Sequence, residues 1–252
     1  MELLSAWTIA ALVLTAFVAG FVDAIAGGGG LITVPALALA GLDPISAIAT
    51  NKLQASFGSG SAAWTFLRAG HLRFSAIWPA LLMAGAGSLI GAYVLTIVPI
   101  HAARAVLPIA LIAVAGYFTF SPRISQIDSH PRMGRFLFVA TIAPLVGFYD
   151  GVFGPGAGSF YMLGFVALLG YGLVRATAET KAVNFASNIV GLGALSASGH
   201  IVWQIGLAMG VAQTVGATLG AHTAIRAGAG LIKPLVVAIC LLLALKLAAE
   251  HF

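Results

Sequence analysis

A motif that occurs twice limits what this chain can fold into. Gly20-Phe21-Val22-Asp23 is followed by the run Gly27 to Gly30, and Gly147-Phe148-Tyr149-Asp150 is followed by Gly154-Pro155-Gly156-Ala157-Gly158. A glycine run breaks a helix and opens backbone N–H and C=O groups. Here the flanking sequence is apolar. The chain is 60% hydrophobic and only 8% charged, with a mean hydropathy of +1.05, whereas a soluble domain averages about 25% charged residues. The chain therefore reads as an integral membrane protein. Its apolar runs have helical length rather than the ~10-residue alternation of an outer-membrane barrel. Opened backbone is tolerated in a bilayer only where it is buried in protein or lines a cavity. Two breaks at matching positions point to a transport site.

The match extends beyond the motif. Asp23 and Asp150 are 127 residues apart and Gly30 and Gly158 are 128 apart. Lys52 and Lys181, His71 and His200, Gly87 and Gly216, Gly91 and Gly220, and Arg104 and Lys233 are all 129 apart. Each half divides into five apolar or helical segments: 7–26, 31–41, 45–67, 74–98 and 102–120, then 136–153, 159–169, 173–198, 201–224 and 231–249. The second segment of each half is too short to span a hydrocarbon core. The expected fold class is an all-α polytopic membrane protein of two repeats, with broken or re-entrant helices at the glycine motifs. The first repeat covers 1–120, a polar linker 121–135, and the second repeat 136–252. The linker contains prolines and basic residues and is expected to be mobile.

An odd number of crossings per half makes the repeats inverted. Placing the linker in the cytoplasm puts Arg68, Arg73, Arg123, Arg132, Arg135, Arg226 and Lys233 inside, Arg175 inside or at a re-entrant tip, and Arg104 and Lys246 outside, as the positive-inside rule requires. Both termini are then expected outside, on the periplasmic face of an inner membrane. Glu2 and the absence of a basic leader indicate that the first helix is retained.

Lys52 and Lys181 are the sharpest candidates for a site, because an ammonium at membrane depth needs a carboxylate or a bound anion. Either both lysines face a cavity and attract an anion, or each pairs with Asp23 or Asp150 and ties the repeats together. The N–H groups around Gly28, Gly29, Gly30, Gly156, Ala157 and Gly158 precede short helices and could hold an anion's oxygens. Asn51, Gln54, Thr180, Asn184 and Asn188 could complete such a site, or bond across helices. Asp23, Asp150 and Glu179 are candidates for proton or ion coupling. For the aspartates the other reading is a salt bridge or helix cap, and for Glu179 it is a pair with Arg175 four residues earlier. The histidines have no metal-site spacing, the single Cys240 forms no disulfide framework, and no cofactor motif, nucleophile–base pattern or basic–aromatic patch is present. The expected partners are a small anion and the lipid bilayer, not nucleic acid or a metal; a homo-oligomer is left open.

The paired Gly-Phe-x-Asp and glycine-run motifs, each followed by a polar lysine-bearing helix, resemble the TauE/SafE family of sulfite exporters and related anion permeases. The resemblance covers about Gly20 to Leu245. It implies an inner-membrane secondary transporter of sulfite, sulfonates or other small organic anions, without fixing the substrate. The second motif departs from a plain glycine run. Two other readings are an anion channel using the same pore and a membrane scaffold or assembly factor.

Overall fold

The computed structural model describes residues 5–97 and 127–249, with no side-chain description at 239, 240 and 242–249. The expected segment 102–120, linker residues 121–126, Arg104, and the side chains of Lys246 and Cys240 lie outside the described residues. The described residues form nine α-helices and no strand. These are α1 (Ala6–Ala26), α2 (Gly29–Leu39), α3 (Pro44–Arg68), α4 (Phe74–Leu95), α5 (Arg135–Val152), α6 (Ala157–Ala167), α7 (Leu173–Leu195), α8 (Trp203–Ala227) and α9 (Ala229–Ala249).

Local chemistry explains several boundaries. Ser5 caps α1 by accepting the Thr8 N–H. Asp43 caps α3 by accepting the N–H groups of Ile45 and Ser46 at 3.1 Å each, and Pro44 supplies a φ preset for the first helical position. Helices α2 and α6 have 11 residues each, about 16 Å at 1.5 Å per residue, half a hydrocarbon core.

Among the described helices, α1, α4 and α5 are long and apolar enough to cross a membrane. The expected span at 201–224 has the length, as α8, but carries Gln204, Gln213 and His222 and falls short in apolarity. Large apolar side chains such as Trp7, Leu14, Leu82, Tyr93, Leu145 and Val211 are exposed on the outside. The middle of the molecule instead buries Asn51, Lys52, Gln54, Lys181, Asn188 and Gln213. That inversion of the soluble pattern fits a chain solvated by lipid.

The packing is exchanged between halves. The most extensive interfaces are α1 with α8 and α4 with α5. A methyl at Gly87 or Gly91 of α4 would strike the carbonyl oxygens of Pro144 or Phe148 in α5; one at Gly216 or Gly220 of α8 would strike those of Phe17 or Phe21 in α1. These small-residue stripes let backbones approach closely where lipid offers no hydrophobic drive for helix association. Polar α3 and α7 lie between these pairs, each packed on the other and on α8 or α4.

Residues 129–133 differ from the expected mobile linker. The N–H of Ser129 donates to the Gly170 carbonyl at 2.6 Å, and those of Arg132 and Met133 to the Leu168 carbonyl at 2.8 and 3.0 Å. The Gly172 N–H donates to Asp128 at 2.8 Å. The α6–α7 turn has carbonyls and an N–H without helical partners, and this strap satisfies them.

Candidate functional site

Each short helix starts at a glycine in the left-handed region: Gly28 with φ 98° before α2, and Gly156 with φ 88° before α6. A side chain there would be strained, which is why the chain can turn back at these points only with glycine. Asp23 sits one turn before the end of α1, and its Oδ1 accepts the Gly29 N–H at 2.9 Å, joining the end of α1 to the start of α2. The approach requires glycine at 29 as well, since a Cβ would lie 2.7 Å from the Asp23 Cβ. The two breaks then meet. A Cβ on Gly27 would lie 2.7 Å from the carbonyl carbon of Gly158, and one on Gly158 would lie 3.1 Å from the Gly27 Cα. Backbone touches backbone, so the two helix N-termini converge. Among the described residues, the N–H groups of Gly30 and Gly158 have no protein acceptor.

Both lysines are fully buried, and each reaches across to the other half. The Lys52 ammonium donates to Asp150 Oδ1 at 3.0 Å, and the Lys181 ammonium to Asp23 Oδ2 at 2.9 Å. The Ser187 hydroxyl donates to the second oxygen of Asp150. Of the two sequence readings, the geometry shows the pairing one: neither lysine lies on the cavity wall, while both aspartates do. Burying these ions is costly, and close pairing with further hydrogen bonds offsets that cost. The four groups together carry no net charge.

A narrow polar cavity opens where the breaks meet. Its wall includes Gly28, Gly30, Gly154, Gly156 and Gly158 from the breaks, with Asp23 and Asp150 beside them. Asn51 of α3 and Asn184 and Asn188 of α7 supply amides. Of the other sequence candidates, Gly29, Ala157, Gln54 and Thr180 stand off the wall. Gln54 has a supporting position: its amide donates to Asn51 Oδ1 at 3.0 Å, which also accepts from the Thr33 hydroxyl at 2.6 Å. Asn188 Nδ2 donates to the Asn184 carbonyl at 2.8 Å. The cavity has room only for water, so a larger guest requires the helices to move.

Glu179 is elsewhere. Arg175 Nε donates to its Oε1 at 3.3 Å, the same guanidinium binds Asp128 of the strap, and it lies 3.7 Å over the Tyr171 ring. Two wall residues escaped the sequence reading, Ala55 and Gln213. The available signal for Gln213 was an amide in the middle of an expected span, at the position 129 residues after Ala84.

The sequence model for the family described as Sulfite exporter TauE/SafE matches residues 12–247. The chain is 48% identical to the probable membrane transporter protein ORF9 of a Sinorhizobium species over 250 residues, covering 99% of this chain and 96% of that one. It is 42% identical to the probable membrane transporter protein YfcA of Escherichia coli K12, covering 92% of this chain and 86% of that one. A probable membrane transporter protein of Haemophilus influenzae is 39% identical, with coverage of 93% and 92%. No solved structure matches the chain. A twice-broken, lipid-solvated helical bundle with a buried polar centre, matched by a family model over nearly its whole length, belongs to the TauE/SafE family of membrane transporters.

Proposed function

We propose that this protein is a secondary transporter of a small anion, such as sulfite, an organosulfonate or a related organic anion, working by alternating access between two inverted repeats in an inner membrane. The observation that carries this reading is the convergence of two helix N-termini on one polar cavity, with the Gly30 and Gly158 N–H groups unpaired. Such N–H groups, at the positive ends of helix dipoles, bind anion oxygens, and Asn51, Asn184 and Asn188 add neutral donors. The family assignment and the names of the relatives support the transporter class. The central linker and its arginines are placed in the cytoplasm, and both termini outside, by the positive-inside rule.

The crossed ion pairs change the role given to the lysines. With Asp23 and Asp150 ionised, each ammonium is neutralised and the site attracts an anion only through N–H and amide groups. A proton taken by either wall aspartate would remove a negative charge from beside the anion, so anion binding and proton binding favour one another. That couples anion flux to protons through Asp23 and Asp150. Glu179, paired with Arg175, stands off this wall.

Labelled sulfite and 2-aminoethanesulfonate flux into proteoliposomes tests the proposal. A transporter gives saturable flux accelerated by substrate on the far side, and an imposed proton gradient drives it. Flux linear in concentration would establish the channel instead. No flux of any small anion through folded protein would leave a scaffold role, and flux that follows sodium rather than the anion would assign the aspartates to cation transport.

A further inference from the structure

Gln213 is the best-placed unused group in the molecule. It is 1% exposed, it lies on the cavity wall, and its Oε1 is buried with no hydrogen-bond partner. Among the described residues, its Nε2 has no hydrogen-bond acceptor either. An unmatched buried amide is costly, so its retention calls for a partner that is not always present.

The side chain does not wander into this position. A Cβ on Gly20 of α1 would lie 2.6 Å from the Gln213 carbonyl oxygen and 2.8 Å from its Cγ. A Cβ on Gly58 of α3 would lie 2.7 Å from that Cγ and 2.8 Å from Nε2. Two glycines therefore form a slot that passes the arm through to the cavity and fixes its direction.

The corresponding place in the other half is built differently. At the matching offsets, Gln213 corresponds to Ala84 and Gly58 to Ser187. One place sets a long amide against a glycine. Its counterpart holds Ala84 and Ser187, and that serine's hydroxyl is spent on Asp150. The asparagines lean the same way: Asn184 and Asn188 correspond to Ala55 and Ser59. The hydrogen-bonding wall of the cavity is thus concentrated on α7 and α8, while the convergent N–H groups come from both halves.

We infer that Gln213 is a specificity residue that hydrogen-bonds a neutral polar group on the substrate, at a point distinct from its anionic oxygens, so that the site favours an anion with a hydroxyl or carbonyl substituent over a bare oxyanion. A small symmetric ion satisfied by the N–H groups leaves the Gln213 amide unmatched; a substituted one satisfies both. A buried group built to bond a substituent discriminates against analogues lacking it. This inference rests on the anion-transport reading.

The test is competition against labelled sulfite uptake in proteoliposomes, using 2-hydroxyethanesulfonate, ethanesulfonate and unlabelled sulfite as competitors. Gln213→Met keeps the length of the arm in its slot and removes the amide; Gln213→Asn keeps the amide and shortens it. In the wild type, 2-hydroxyethanesulfonate should compete about tenfold better than ethanesulfonate, the worth of one well-placed hydrogen bond. Gln213→Met should erase that ratio while leaving the affinity for ethanesulfonate and sulfite within about twofold, and Gln213→Asn should restore part of it. Equal weakening of all three competitors in Gln213→Met, or a wild-type ratio near one, overturns the specificity role while leaving anion transport standing. Absence of anion flux in the wild type overturns the transport reading and this inference with it.

Discussion

Asp23 and Asp150 occupy corresponding positions and each takes a lysine from the opposite half, yet they are held by different second partners. Asp23 binds a backbone N–H, that of Gly29 at the start of α2. Asp150 binds a side chain, the Ser187 hydroxyl of α7. The first carboxylate is thus part of the helix break itself. The second is tied to the long polar helix, and the break beside it is closed by its own turn, with the Ala157 N–H on the Gly154 carbonyl at 3.2 Å. One duplicated motif is thus held in two ways: Asp23 is fastened to the α1–α2 break, and Asp150, itself on α5, to α7. A second asymmetry sets Gln213 against Gly58, where the matching positions carry Ala84 and Ser187.

The strongest way to break this comparison is to remove one partner of each ion pair. Lys52→Met and Lys181→Met should each cost about 3–5 kcal/mol, because a buried aspartate is left unpaired. Thermal unfolding in detergent reads this. The double replacements Lys52→Met/Asp150→Leu and Lys181→Met/Asp23→Leu should recover most of that stability while abolishing transport. The Asp23 double should recover less, since it also leaves the Gly29 N–H unpaired. Equal recovery would show that the cap contributes nothing.

A smaller effect is expected at the residue after each left-handed glycine. Gly29→Ala drives a methyl into Asp23 and should cost about 1–3 kcal/mol. The corresponding position, 157, already carries alanine, and Ala157→Gly should cost only about 1 kcal/mol from lost helix propensity. Comparable losses at both sites would mean that the two breaks are built alike after all.

Ser187→Ala removes the second support of Asp150 and should cost about 1–3 kcal/mol for the unsatisfied carboxylate oxygen. If Asp150 couples transport to protons, the variant should also change the pH profile of flux, since Asp150 loses its second partner. Flux with an unchanged pH profile would separate Asp150 from coupling.

The smallest effect concerns the two long polar helices at their starts. Asp43 caps α3, and the corresponding residue before α7 is Gly172, whose N–H is taken instead by Asp128 of the strap. Hydrogen bonding from Ser46, side chain first and backbone after, holds the Asp43 carboxyl below its ordinary value of 3.8, with burial opposing. A carboxylate lowered on folding contributes stability above its unfolded pKa and loses it as pH falls through the folded one. Hydrogen exchange at the first turn of α3 should therefore quicken below about pH 4, with no matching change from this cause at α7. Asp43→Ala should remove the pH dependence and cost about 1 kcal/mol.

Much of the architecture was legible because membrane solvation leaves few choices. Sustained apolar runs had to be helices, and Gly27–Gly30 and Gly154–Gly158 had to interrupt them. The polar content of α3 and α7 had to turn away from lipid, since Lys52 and Lys181 cannot be left in hydrocarbon. The site was legible in part. Asn51, Asn184, Asn188, Gly28, Gly30, Gly156 and Gly158 reach the cavity, whereas Gln54 and Thr180 lie on the same polar helices but behind the wall. Helical position alone does not separate a residue facing the cavity from one a turn away facing a neighbouring helix. Gln213 was missed because its meaning lies in Gly20 and Gly58, two glycines on other helices. The strap at 129–133 was read as mobile because its partners, Leu168 and Gly170, are backbone carbonyls that composition does not reveal.

Sequence by itself determined that this chain lives in a bilayer, that its helices break twice, and that its buried charges come in matched kinds, two lysines and two aspartates. These follow from transfer free energies and backbone stereochemistry, which are properties of the residues. Only the tertiary structure decided which lysine meets which aspartate. Lys52 crosses to Asp150 and Lys181 to Asp23 because α3 and α7 pack on each other between the exchanged helix pairs. An ion pair depends on a few ångströms of separation, and those ångströms are set by where glycines let backbones touch. The same packing turned two lysines that could each have held an anion into compensated charges behind a wall of amides and N–H groups.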